Sequence, residues 1–138
     1  MAVVVDANLV VALATNDPRS GSVERRVREW LDGREDLHAP ALLPYEVASG
    51  FARLVAAGRL AAQDLPDVWA LVDRLPLHLH HMTAGPSVVE AALHLGPGGA
   101  YRAAYVVLAQ QLGAELWTLD GPLAGTAAAL GLPVRLVE

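Results

Sequence analysis

Ala2-Val3-Val4-Val5, closed by Asp6-Ala7-Asn8, sets the reading of the rest of the chain. Four apolar residues, three of them β-branched, show no polar alternation, so the run reads as a strand buried on both faces, as in a parallel sheet. An acid follows the strand directly. The same arrangement recurs near the other end, where Glu115 to Leu119 reads as a strand and Asp120 follows it. Leu37 to Leu42 and Val134 to Val137 read as further short strands, and Leu77 to Met82 alternates apolar residues with histidine, as a half-exposed strand does.

Helical segments fill the intervals. Asn8 to Ala14 continues from the first strand and halts around Asn16-Asp17-Pro18. Ser22 opens a polar helix through Trp30 that stops at Gly33, with Val23, Val27, Trp30 and Leu31 on one face. Pro44 suits a first helical position, and that helix runs to about Ala57 before Gly58. Ala61 to Leu75 carries an apolar stripe of Leu65, Val68, Trp69, Val72 and Leu75, with Pro66 in its first turn. Pro86 to Leu95 and Ala100 to Leu112 are helical, separated by the break Gly96-Pro97-Gly98-Gly99, and a short helix spans Leu123 to Leu130. Strands alternating with helices imply an α/β fold, a mainly parallel central sheet flanked by helices. With 138 residues and no linker or repeat, residues 1–138 read as one domain.

Composition removes several functions. No cysteine is present, so disulfide frameworks and thiolate metal sites are excluded. No run approaches the roughly 18 apolar residues of a membrane span, and Asp6 falls where a signal peptide would be apolar. A cytoplasmic protein is expected. The net charge of −5 argues against a general duplex-DNA binder, whose affinity comes from phosphate neutralisation. Hydrophobic residues make up 54% of the chain, a surplus that suits a partner interface.

Asp6 and Asp120 end strands, and Glu46 stands in the first turn of the helix after the second strand. In open parallel sheets the carboxyl ends of the strands border the ligand crevice. Three remote carboxylates can therefore meet there. Hard Mg²⁺ or Mn²⁺ ions take carboxylate oxygen and water, and can polarise a phosphodiester. Each acid also has a plainer use. Asp6 and Asp120 suit helix N-caps, and Glu46 suits the positive end of a helix dipole.

Four segments in order carry a resemblance: Val-Val-Val-Asp6-Ala-Asn8, Pro44-Tyr-Glu46-Val-Ala, Tyr101-Arg-Ala-Ala-Tyr105-Val-Val-Leu-Ala109 and Leu116-Trp-Thr118-Leu-Asp120. Over essentially the whole chain they resemble the motif regions of PIN domains, especially the VapC-type toxin ribonucleases of bacterial toxin–antitoxin systems. The resemblance implies a metal-dependent endoribonuclease using Mg²⁺ or Mn²⁺, RNA as substrate, an antitoxin-like partner and a homodimer. Asp6, Glu46 and Asp120 would be its catalytic and metal-binding residues. Asn8 and Thr118 match positions that are often small and polar, and would support those carboxylates.

The third segment departs from the family. Arg102 follows Tyr101 where an aspartate is usual, and no acid lies between Glu90 and Glu115 to replace it. The formal charge of the site falls to about −2 instead of about −4. One opposite-charge contact at about 4 Å is worth roughly 4 kcal/mol at an effective dielectric of 20, before desolvation. Metal affinity should therefore be reduced. Arg102 can plug the acids, swing out to an RNA phosphate, or remain a solvated helix residue. The alternative function is a catalytically degenerate PIN domain that binds RNA or protein, and a third is a dimeric scaffold for an antitoxin-like peptide.

Other features read as structural. His78 and His80 share a strand face that His81 does not, and His38 and His94 stand alone. Arg25, Arg26, Arg28 and Arg34 form a solvated face with Glu24, Glu29 and Asp32, with a contribution to RNA approach as the other reading. Trp30, Trp69 and Trp117 suit the core or an interface. The Gly96–Gly99 break lacks the ending of a phosphate-binding P-loop.

Overall fold

A computed structural model describes residues 1–96 and 99–138. The N-terminal run forms β1 (Ala2–Val5), and Val3, Val4 and Val5 are at most 6% exposed, as an uninterrupted apolar strand requires. Helix α1 (Ala7–Ala14) and helix α2 (Ser20–Asp32) follow, then β2 (Asp36–Pro40) and α3 (Leu43–Ala56). A single 3₁₀ turn (Ala62–Asp64) leads into α4 (Leu65–Arg74) and β3 (Leu77–His80). The chain continues through α5 (Gly85–Leu95), α6 (Gly99–Leu112), β4 (Glu115–Thr118), α7 (Gly121–Ala129) and β5 (Val134–Leu136).

The five strands form one parallel sheet in the order β3-β2-β1-β4-β5. From β1 the chain builds outward through β2 and β3, then returns to place β4 on the other side of β1. The β1–β4 junction is thus the topological switch point, where open α/β sheets form their ligand crevice. Helix α1 packs with α2, α3 and α4, while α6 lies against β1, β2 and β4 and pairs with α5. The α/β architecture expected from the alternation of strands and helices is the one observed.

Several boundaries move, for local reasons. Strand β2 ends at Pro40, short of Leu42, because the chain turns at Ala41 and Leu42 into α3, the last bond to β3 running from the Ala41 amide to the His80 carbonyl at 2.8 Å. The segment opening at Ala61 begins as the 3₁₀ turn, and its apolar stripe belongs to α4. Strand β3 stops at His80, and Met82 beyond it is 69% exposed. Of the break around Gly96, Pro97 and Gly98 lie outside the described residues. Gly96 has φ 87°, which favours glycine, and Gly99 opens α6 where an added β-carbon would meet the Ala92 carbonyl oxygen at 2.8 Å.

The histidines are closer than the sequence suggested. In the β2–β3 register His38 faces His78, and its Nδ1 lies 2.7 Å from His80 Nε2, so His38 does not stand alone. The two nitrogens share one proton, and burial followed by the neighbouring imidazoles holds the His38 pKa below its usual value. On α2, Arg26 pairs with Glu29 and Arg28 with Glu24, and Arg26 also lies over the Trp117 ring at 4.6 Å. Trp30 meets the same ring edge-on at 5.6 Å, so two of the three tryptophans tie α2 to β4.

Gly50 marks where α3 crosses closest to α1. A β-carbon there would sit 2.8 Å from Val11 Cγ2, on a β-branched side chain with little rotameric escape. Gly50→Ala gains about 1 kcal/mol of helix propensity but should lose about 1–3 kcal/mol to overpacking. The expected outcome by urea unfolding is a net loss of roughly 1 kcal/mol, relieved when Val11→Ala is added. A Gly50→Ala variant more stable than the parent would show that α1 and α3 are not this tightly packed.

Candidate active site at the switch point

The ladder between β1 and β4 runs one residue beyond β1, because Asp6 N–H donates to the Trp117 carbonyl at 3.0 Å. The register that pairs Val5 with Trp117 then brings Asp6 beside Thr118. Thr118 is fully buried. Its Oγ1 accepts from Asn8 Nδ2 at 3.1 Å and from the Asp120 amide at 3.0 Å. With both lone pairs taken, the hydroxyl proton has one direction left, and it is donated to Asp6 Oδ2 at 2.7 Å. Asn8 is fixed in turn, because its Oδ1 accepts from the Leu119 amide at 3.2 Å.

The two strand-end aspartates differ in use. Asp6 stands at the N-cap position of α1, yet its side chain makes no capping bond and turns to Thr118. Asp120 caps α7, with Oδ1 accepting from the Leu123 amide at 2.9 Å. Its other oxygen, Oδ2, lies 3.3 Å from Arg102 Nη2. Glu46 enters from the first turn of α3, and its Oε1 accepts from Tyr105 Oη at 2.6 Å.

Tyr105 is the residue that the motif reading quoted without giving it a role. It is 2% exposed, and burial together with Glu46 pushes its phenol well above the usual range, so it remains the donor. The signal was present in helical periodicity. Tyr105 lies three residues after Arg102 on α6, which puts both on one face toward the acids.

Asp6, Asn8, Glu46, Arg102 and Asp120 line one cleft of about 640 Å³, while Thr118 and Tyr105 stand behind it. Burial is the main force that pushes the Asp6 carboxyl from its ordinary 3.8 up to about 6. Glu46 and, more weakly, Asp120 push the same way, against the hydrogen bonds from Thr118 and the Ala7 amide. The acids therefore sense one another across the cleft. Among the described residues, however, no group of three or more His, Asp or Glu side chains is placed to hold a metal ion.

Arg102 meets one of those acids, Asp120. The Arg102 side chain is 44% exposed, so solvent screens the contact, and such pairs contribute at most about 1 kcal/mol. That is well below the roughly 4 kcal/mol of a contact at about 4 Å in an effective dielectric of 20. Arg102 covers Asp120 but holds it weakly.

Comparison with known proteins adds the family. No family model matches the chain. Ribonuclease VapC3 of Pyrobaculum aerophilum is 33% identical over 137 residues, covering 96% of this chain and 100% of that protein. The chain belongs to the VapC-type PIN-domain family. A neighbour in fold is a Pyrobaculum aerophilum protein of known crystal structure, which superposes with a TM-score of 0.68 at 22% identity, over 91% of this chain and 79% of its own. A PilT N-terminus domain protein of Sulfolobus solfataricus aligns over 99% of this chain and 87% of its own, with a TM-score of 0.48 and 16% identity.

The raised Asp6 pKa has a measurable consequence. Between about pH 4 and pH 6 the unfolded chain has released a proton that the folded carboxyl still holds, so stability falls as pH rises through that window and stays lower above it. At 1.36 kcal/mol per unit the cost is at most on the order of 3 kcal/mol. Asp6→Asn keeps an acceptor for Thr118 and does not titrate. With chelator present, urea unfolding should find it about 1–3 kcal/mol more stable than the parent at pH 7.5, with the gap closing near pH 4. Parallel pH–stability curves for the two proteins would contradict the raised pKa.

Proposed function

We propose that the chain is an endoribonuclease of VapC type that cuts RNA phosphodiesters at the cleft bordered by Asp6, Glu46 and Asp120. The observation that carries this reading is the arrival of three carboxylates, following β1, in α3 and following β4, at one switch-point cleft, with Asp6 raised in pKa by burial first and by the neighbouring acids second. A carboxylate buried beside other carboxylates without a cation is a cost to the fold, and a functional site is where such a cost is retained.

The donor chemistry suits one hard divalent ion, Mg²⁺ or Mn²⁺. Asp6 and Glu46 each keep an oxygen that no other side chain claims, because Thr118 takes one oxygen of Asp6 and Tyr105 one of Glu46. Those two residues would hold the ion, with water completing its shell. Asp120 would join when Arg102 moves away, which the weak ion pair permits. The chemistry that a bound divalent ion supplies to a phosphodiester is polarisation and neutralisation of charge on the departing oxygen. The chain's own part is positional: Thr118 and Tyr105 fix the two carboxylates before substrate arrives, so little reorganisation is left for the reaction.

RNA as substrate, an antitoxin-like protein as partner, a homodimer and a cytoplasmic setting follow from the family reading. No helix among the described residues is long and apolar enough to cross a membrane. Exposed Tyr45, Met82, Val89, Leu93 and Tyr101 supply apolar surface suited to a protein partner. The Arg102–Asp120 contact favours one second reading, a degenerate PIN domain that binds RNA without cutting it.

Replacing the arginine separates the two. Arg102→Asp removes a positive charge and adds a ligand, and should tighten Mn²⁺ binding at least tenfold by calorimetry and raise cleavage of a structured RNA pool. Asp6→Asn should abolish cleavage with folding intact. Unchanged cutting by Asp6→Asn would place the activity elsewhere. Binding without cutting in the parent, with cutting gained in Arg102→Asp, would establish the degenerate reading.

A further inference from the structure

The cleft continues past the carboxylates along α3. Glu46, Gly50 and Arg53 fall on one face of that helix, and all three line the cleft. Arg53 stands two turns beyond Glu46, about 10 Å along the axis. Gly50 lies between them and leaves the floor without a side chain, because α1 approaches there. Gly58, with φ 71°, then turns the chain so that Arg59 borders the same end.

The charges bordering this space sort by partner. Asp17 is clamped by Arg19, whose Nε lies 3.0 Å from its Oδ1, and Asp120 is met by Arg102. Asp6 and Glu46 remain as anions without a cationic partner at one end. Arg53 and Arg59 are exposed at the other end, and among the described residues neither makes a salt bridge. Arg59 also acts on Asp17, whose carboxylate is already engaged by Arg19. A cleft with free acids at one end and free guanidinium groups at the other matches a ligand that brings both a cation and a run of anions.

We propose that Arg53 and Arg59 form a phosphate-binding lane that holds the single RNA strand on one side of the bond presented to Asp6 and Glu46. The assignment rests on the nuclease reading above and adds where the substrate lies. A chain with net charge −5 repels RNA as a whole, so a strand reaching an acidic centre needs local positive charge beside it. Guanidinium groups meet phosphate oxygens through paired N–H donors, and do so irrespective of base identity. The lane therefore contributes affinity and orientation, and leaves sequence preference to other contacts.

The test uses the full chain in chelator, where binding is read without cutting. A fluorescein-labelled single-stranded RNA of mixed sequence is titrated and followed by anisotropy across a salt series. Arg53→Ala/Arg59→Ala should weaken binding at least tenfold, and the slope of log affinity against log salt should shrink by about 1 to 1.5, as for two lost phosphate contacts. Arg25→Ala/Arg74→Ala, which removes the same charge outside the cleft, should change affinity less than about threefold. With Mn²⁺ the lane variant should show a raised KM and a nearly unchanged kcat. Equal losses in the two double variants, or no measurable binding by the parent, would overturn the lane. A parent that binds through the two arginines yet cuts nothing with Mn²⁺ would overturn the nuclease reading and leave the lane standing.

Discussion

The hydroxyl of Thr118 is the point on which the candidate site depends. It is buried at the carboxyl end of β4, where an unpaired polar group would cost about 1–3 kcal/mol, and every bonding direction it has is used. Asn8 and the Asp120 amide occupy its lone pairs, and Asp6 takes its proton. One side chain thereby fixes the start of α1, the exit from β4 and the rotamer of the central acid. The parallel register of β1 on β4 is what brings these groups within reach. A slip of one residue would turn Thr118 to the opposite face of the sheet and leave Asp6 without its donor.

Around that anchor the protein holds charge in unequal states of compensation. Glu46 is satisfied by a neutral phenol that burial keeps protonated, which orients the carboxylate without cancelling its charge. Asp6 is treated the same way by a neutral hydroxyl. Of the three acids, only Asp120 meets a cation among the described residues, and that cation is 44% exposed. Neutral donors preserve negative potential, whereas a guanidinium consumes it. The departure at Arg102 therefore alters one corner of the cleft and leaves the Asp6–Glu46 side intact.

Much of this was legible in one dimension. An unbroken apolar run ending in an acid identified β1 as a buried parallel strand, a second strand followed by an acid identified β4, and Pro44 and Gly58 bracketed α3 closely. Less was legible where local chemistry cuts across periodicity. Strand β2 ended early, at Pro40, because Ala41 and Leu42 turn directly into α3. His38 looked isolated because its neighbours, His78 and His80, come from a strand about forty residues away in the chain. Asp6 and Asp120 looked alike as candidate caps, yet only Asp120 serves as one.

By itself, the sequence determined which residue types stand at strand ends and which family they resemble, because hydrophobic period and motif order are properties of the chain read in line. It also showed that the third motif carries arginine where an acid is usual. Only the tertiary structure decided that Arg102 reaches Asp120, that Tyr105 serves Glu46, and that Arg53 and Arg59 border the same cleft as the acids. Those facts depend on how helices from distant parts of the chain cross the switch point. Crossing is set by packing such as Gly50 on Val11, for which a linear pattern carries no coordinate.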